Sequence, residues 1–253
     1  NLTGVEEYTY NPKPAPLLYK QESRTFQGFR RKDGRVGIRN ELWIVPTVGC
    51  VNGIAELILN RFKQEVGDIA PFENALVLKH NYGCSQLGDD HAHTRTILVD
   101  AVKHSNAGGV LVLGLGCENN EMKEFKEAVG EYDPERVKFL LSQQVSDEVE
   151  EGVRLLHEIF AAVQADRREP VPLSELNIGL KCGGSDGLSG ITANPLLGRL
   201  SDYMAAQGGT TVLTEVPEMF GAETILMERA ADEQVFGKIV HLINDFKQYF
   251  LDY

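Results

Sequence analysis

Six short apolar runs recur along this chain, each followed by a loop and then by a helical pattern, and few folds accommodate that order. Glu41–Pro46 (ELWIVP) reads as a buried strand, and residues 51–62 read as a helix with apolar positions at 54, 55, 58, 59 and 62. Residues 75–78, 110–115, 137–141, 176–180 and 211–215 read as the remaining strands. Helical patterns follow them over 91–104, up to about 129, and over 147–165, 196–207, 222–230 and 234–250. Such alternation predicts an α/β, Rossmann-like fold: a mostly parallel sheet of about six strands with helices on both faces. Right-handed crossovers then bring every strand-to-helix loop to the carboxyl edge, where open sheets bind ligands.

Ahead of the alternation, residues 1–27 carry Pro12, Pro14 and Pro16 with little periodicity, and read as an extended linker or arm, cut from something longer. Residues 28–253 are expected to form the α/β domain. Its first segment turns at Asp33-Gly34 and holds five basic residues, Arg30, Arg31, Lys32, Arg35 and Arg39. Two readings are open: a solvated hairpin, or a clamp in which Arg35 and Arg39 fold towards the crevice and grip a carboxylate bidentately.

The net charge of −12 argues against nucleic acid as a partner, because neutralising phosphates needs a basic face. No apolar run reaches the length of a membrane span and no signal-peptide pattern opens the chain, so neither a membrane nor an export route is expected, and a cytoplasmic location is the default. The first strand-to-helix loop, Pro46-Thr-Val-Gly-Cys-Val-Asn-Gly53, lacks G-x-G-x-x-G, and neither a P-loop nor a G-x-S-x-G elbow occurs.

The four cysteines carry more information. Cys50, Cys84, Cys117 and Cys182 each stand within a few residues of the end of an apolar run, in a loop containing glycine. Four buried core thiols would scatter through helices and strands; these share one kind of position, so they are read as metal ligands at the carboxyl edge. Thiolates gathered in a reducing compartment suit iron, an iron–sulfur cluster or zinc. The fourth loop, Lys181-Cys-Gly-Gly-Ser-Asp-Gly-Leu-Ser-Gly190, is crowded with hydrogen-bonding groups. Lys181, Ser185 and Asn194 are its substrate-binding candidates, and its backbone N–H groups suit an anion. His80, Asp89, Glu118, Asp186 and Glu215, with Glu218 beside them, are the acid–base candidates at loop ends; for Asp89 and Asp90 helix capping is the competing reading. His91 and His93 flank the second cysteine loop as further ligand or proton-carrier candidates, while His104, His157 and His241 read as surface or core residues.

At this point the loops become familiar. The run Arg39 to Ala55, His80-Asn-Tyr-Gly-Cys-Ser-Gln-Leu-Gly-Asp-Asp90, Gly114-Leu-Gly-Cys-Glu-Asn-Asn120, Leu180-Lys-Cys-Gly-Gly-Ser-Asp-Gly187 and Leu213-Thr-Glu-Val-Pro-Glu-Met-Phe-Gly221 resemble the altronate/galactarate dehydratases of bacterial hexuronate catabolism. The likeness runs from about Gly28 to Phe250. It implies a hydro-lyase that converts D-altronate to 2-dehydro-3-deoxy-D-gluconate, or acts on another sugar acid such as galactarate. It also implies iron as cofactor, as Fe2+ or a cluster, with manganese as an alternative. Members of the family are roughly twice this length, so the resemblance further implies missing N- and C-terminal domains as partners, and leaves a homo-oligomer open. A non-autonomous substrate-binding or assembly domain, or a structural zinc domain, are the competing readings.

Overall fold

The computed structural model describes residues 4–13, 16, 18–184 and 186–253, and the chain divides into two compact units. The central unit is Phe26–Val171; the C-terminal unit joins residues up to Thr25 with Pro172–Tyr253.

The central unit opens with β1 (Thr25–Arg30) and β2 (Val36–Gly37), an antiparallel hairpin closed at Asp33-Gly34. Four alternating pairs follow: β3 (Glu41–Pro46) and α1 (Asn52–Val66), β4 (Asn74–Val77) and α2 (Gly88–Val102), β5 (Ala107–Gly114) and α3 (Met122–Val129), β6 (Val137–Leu141) and α4 (Glu148–Ala162). β7 (Glu169–Pro172) then joins the hairpin in the order β2-β1-β7. The four main strands are all parallel, in the order β4-β3-β5-β6. The chain therefore leaves β3 to one side, to make β4, and returns to the other side for β5, so the switch point lies between β3 and β5.

Period-two alternation explains why this sheet is covered on both faces. Leu42, Ile44, Leu111 and Leu113 point to one side, where they meet Ala55, Ile58 and Phe62 of α1 and Leu156 and Ile159 of α4. Val45, Val110 and Val112 point to the other, against Leu98 and Val102 of α2 and Phe125 and Val129 of α3. Each fully buried aliphatic side chain contributes about 1.5–3 kcal/mol, and both faces are filled in this way. Asp147 starts α4 by accepting from Val149 N and Glu150 N at 3.0 and 2.8 Å.

The C-terminal unit contains β8 (Asn177–Leu180), α5 (Ala193–Ala206), β9 (Thr210–Leu213), α6 (Glu223–Glu228) and α7 (Glu233–Asp252). β8 and β9 pair in parallel, Ile178 opposite Thr211 and Leu180 opposite Leu213. The single sheet of about six strands expected from the sequence is thus two sheets: four strands in one unit and two in the other. Each run folds as its pattern suggests, but an apolar strand does not record which sheet it joins. No helix among the described residues is long and apolar enough to cross a membrane.

Ahead of β1, the described residues of the N-terminal arm form no helix or strand, and several of them are tied to the rest of the C-terminal unit. Lys13 N donates to Glu228 O at 2.7 Å, and Tyr10 packs on Phe236 with ring centroids 5.2 Å apart. Glu6 and Asn244 exchange two hydrogen bonds of 3.1 and 2.8 Å. At the centre, the Lys247 ammonium of α7 is 2% exposed and lies 3.2 Å from Glu223 Oε1 and 3.1 Å from the Tyr8 hydroxyl. Tyr8 in turn donates to Glu223 Oε1 at 3.1 Å. Burial pushes the Glu223 carboxyl up, but hydrogen bonds from the backbone, Lys247 and Tyr8 outweigh it and hold it below the usual carboxylate range.

Breaking one partner of a buried ion pair leaves the other uncompensated, so Glu223→Ala should destabilise the C-terminal unit by about 3 kcal/mol in urea unfolding. The native Glu223 pKa is depressed, so its stabilisation is complete above the ordinary value near ~4.3 and disappears as pH falls through the lowered one. Thermal midpoints between pH 6 and pH 3 should therefore fall more for the wild type than for Glu223→Gln.

Candidate functional site

Three cysteine loops leave adjacent strands of the four-stranded sheet, and hydrogen bonds lace them together. Gly49 N donates to Tyr82 O at 2.7 Å, and Asn52 Nδ2 to His80 O at 2.8 Å. On the other side of β3, Asn119 N donates to Cys84 O at 3.3 Å and Asn119 Nδ2 to Gln86 O at 3.0 Å. A Cβ at Gly49 would stand 2.8 Å from His80 O, so only glycine allows this approach. Cys50, Cys84 and Cys117 all follow carboxyl ends of parallel strands and all are exposed.

Two of the acid–base candidates in this region are occupied by the loops themselves. Glu118 is 4% exposed; Oε1 accepts from Thr47 Oγ1 at 2.7 Å and Leu115 N at 3.1 Å, and Oε2 from Gly116 N at 2.6 Å. It knots the switch-point turn. His80 is similarly engaged: Nε2 stands 3.0 Å from Pro46 O, which can only accept, while Nδ1 accepts from Tyr82 N at 3.2 Å. Both ring nitrogens therefore have a backbone partner within the loops, and the ring borders the hollow beside Tyr82. Asp89 lies in the first turn of α2, whose N-cap position is Leu87, so Asp89 and Asp90 complement the helix dipole without capping it. Asp90, Tyr82 and His93 border a hollow of about 300 Å³, while His91 lies 3.4 Å from Arg95.

The basic hairpin goes to the opposite edge. Arg39 lies two residues before β3, and Arg35 bonds Lys103 O and Asp33. Arg31 donates to Ser105 O at 2.7 Å, and Ser105 precedes β5. Arg35 therefore lines a hollow of about 530 Å³ at the amino edge, and neither Arg35 nor Arg39 approaches the cysteine loops of this sheet. The reason is topological: a hairpin that leads into the first strand of a parallel sheet enters at its amino end.

The C-terminal unit gathers a different set. Because β8 and β9 are parallel neighbours, the loops after them leave side by side. Cys182 follows β8, and its backbone N–H donates to Glu215 Oε2 at 3.1 Å. Glu215 in turn opens the short helical turn Val216–Met219 that presents Glu218. One ligand atom from each of Cys182, Glu215 and Glu218 lies within 4.8 Å of the others, and among the described residues this is the one such group of three. Cys50, Cys84 and Cys117 do not converge to single-ion distance.

Lys181 Nζ stands 4.0 Å from Glu215 Oε1, at the rim of a cavity of about 790 Å³ that Ser189, Asn194 and Arg229 also line. Asp186 accepts from Leu188 N and Ser189 N at 2.7 and 2.8 Å, which shapes the glycine loop and occupies one carboxylate oxygen. Ser185 lies outside the described residues. Arg229 was not legible in the sequence: a single basic residue after a short helix carries no mark, and the folding of α6 alone brings it to the cavity.

The two units coincide with two family models. One described as D-galactarate dehydratase/altronate hydrolase, second domain, matches residues 28–164, and one described as D-galactarate/altronate dehydratase, C-terminal, matches residues 173–253. The chain is 69% identical over 251 residues to altronate dehydratase of Bacillus subtilis (strain 168), covering 99% of this chain and 50% of that protein. It is 57% identical to altronate dehydratase of Escherichia coli (strain K12), covering 99% and 51%. Galactarate dehydratase (L-threo-forming) of the same E. coli strain is 31% identical, with 94% and 47% covered. The chain spans about half the length of these curated relatives.

The His80 contacts are separable by substitution. His80→Gln can keep the donor to Pro46 O and His80→Asn the acceptor for Tyr82 N, so each should lose about 1 kcal/mol in urea unfolding and His80→Ala about twice that. Glu118→Ala, which strands three donors, should cost the central unit about 2–3 kcal/mol.

Proposed function

We propose that this chain, which belongs to the D-galactarate/altronate dehydratase family, forms part of a hydro-lyase that dehydrates D-altronate to 2-dehydro-3-deoxy-D-gluconate. The gap between 69% or 57% identity to altronate dehydratases and 31% to a galactarate dehydratase favours altronate as the substrate. The observation that carries the site is the Cys182–Glu215–Glu218 group on the wall of the large cavity.

The reaction removes the proton from the carbon beside the carboxylate and the hydroxyl from the next carbon. The resulting enol becomes the 2-oxo acid, and the lost groups leave as water. A base must reach the first carbon and an acid the departing oxygen. Lys181 and Arg229 are the cations on the cavity wall for the substrate carboxylate, and Arg229 can grip it with two parallel N–H bonds. Ser189 and Asn194 supply hydrogen bonds for sugar hydroxyls. Among the described residues Glu218 has no side-chain hydrogen bond, whereas Glu215 is oriented by Cys182 N, so Glu218 is the less constrained of the two carboxylates in the group.

One thiolate and two carboxylates suit a divalent first-row metal such as Fe2+ or Mn2+, and the donor atoms of Cys182, Glu215 and Glu218 fit one ion. When bound, the metal supplies Lewis acidity that stabilises negative charge developing next to the carboxylate. The chain's own residues still bind, orient and exchange protons. Activity belongs to the assembled protein, since this chain aligns with half of its relatives.

The test places this sequence in a chimera, replacing the aligned half of the B. subtilis enzyme. It should form the 2-oxo acid from D-altronate faster than from galactarate. Cys182→Ser, Glu215→Gln and Glu218→Gln should each lower bound metal and turnover together, by tenfold or more in kcat/KM (about 1.4 kcal/mol). Cys50→Ser, Cys84→Ser and Cys117→Ser should retain the metal. Loss of iron from those three variants, with retention in Cys182→Ser, would move the metal to the four-stranded sheet.

A further inference from the structure

Parallel strands occur almost only in sheets buried on both faces, and a two-stranded pair is marginal by itself. The β8–β9 pair meets neither condition. Residues paired across it share faces: Ile178, Leu180, Thr211 and Leu213 lie on one, Asn177, Gly179, Thr210 and Val212 on the other. Helix α5 packs on the first, where Ser201 Oγ and Thr211 Oγ1 stand 2.6 Å apart and Ile178, Leu180 and Thr211 are half-buried, with Leu213 at its end 51% exposed. The second is open. A Cβ built on Gly179 would meet nothing within 4 Å, and Val212 is half exposed. All four residues of this face are exposed, and a parallel pair left open in this way presents a surface that another chain segment covers.

We propose that β8–β9 is the exposed portion of a larger parallel sheet, finished by polypeptide corresponding to the half of the relatives' length that this chain does not align with. The segment would lay an extended strand beside the pair and cover the Gly179–Val212 face with apolar side chains. Three observations favour this occupant over a second copy of the chain. The relatives align with 99% of this chain yet are about twice as long, so covering polypeptide of the right amount exists in them. The face has a glycine at its centre, which admits close approach of a neighbouring element. Finally, the Cys182 and Glu215 loops start at the carboxyl ends of these two strands, so a sheet extended here places their cavity at an interior strand end, the position where such sheets bind ligands.

Amide hydrogen exchange tests this without reference to turnover. The backbone N–H groups of residues 177–180 and 210–213 should exchange about tenfold or more slowly in the B. subtilis chimera than in the isolated chain. Equal rates in the two would overturn the proposal. So would slow exchange in the isolated chain that appears with rising concentration and a dimer mass, since a second copy would then be the occupant. Val212→Lys separates the face from the fold: it should leave the thermal midpoint of the isolated chain unchanged and abolish the added protection in the chimera. Undiminished protection in that variant would show that the face is not covered. Because exchange reports coverage alone, a failure here leaves the dehydratase reading standing, and an inactive but protected chimera does the reverse.

Discussion

The parallel pairing of β3 with β5 is the contact on which the central unit depends. It forces the chain to reverse direction across the sheet, and so puts the loops after β3 and β5 on either side of one gap. It also sets Ile44 beside Leu111 and Val45 beside Val112, which commits alternate residues to opposite faces and calls for helices on both. Trp43, on the α2 side, completes the pattern with the His104 ring tilted against it, centroids 5.3 Å apart. Partial burial pushes the His104 imidazole below its ordinary pKa, on the wall of the hollow at the amino edge.

The polar groups at the carboxyl edge then divide by what the backbone demands of them. A tight loop between two buried elements leaves N–H groups that need acceptors, and Glu118 answers three donors at once. His80 ties its own loop to the end of β3. These side chains create the geometry and are consumed by it. Within the Cys182–Glu215–Glu218 group only Glu215 has such a duty among the described residues, to Cys182 N, and one ligand atom of each of the three still lies within 4.8 Å of the others. The contrast explains why the more promising donor set lies on the smaller sheet.

The helices of the C-terminal unit are held from the side, through the arm. Lys247, Glu223 and Tyr8 bury a charge pair beneath an otherwise extended strip of chain, and Tyr10 fills the apolar gap next to Phe236. Tying the first residues of the chain to its last helix compensates for a core too thin to order the unit alone. It leaves the far face of β8–β9 free for another element.

Much of this was legible in the sequence because it is local. The strands, the helices, the Asp33-Gly34 turn and the position of each cysteine after a strand follow from periodicity and glycine placement, which neighbouring residues enforce on one another. What sequence could not say is which strands share a sheet, since ELWIVP and NIGL look equally fit for either. Nor could it separate an occupied polar side chain from a free one. His80, Glu118 and Glu215 are the same kind of residue at the same kind of loop end, and only the backbone atoms that fold against them distinguish the organisers from the candidates for chemistry. Arg35 and Arg39 show the same limit: their charge is written in the sequence, but the edge they reach is set by the direction of β3. Local pattern determined the elements; long-range hydrogen bonding and sheet topology, which depend on residues far apart in the chain, decided the site.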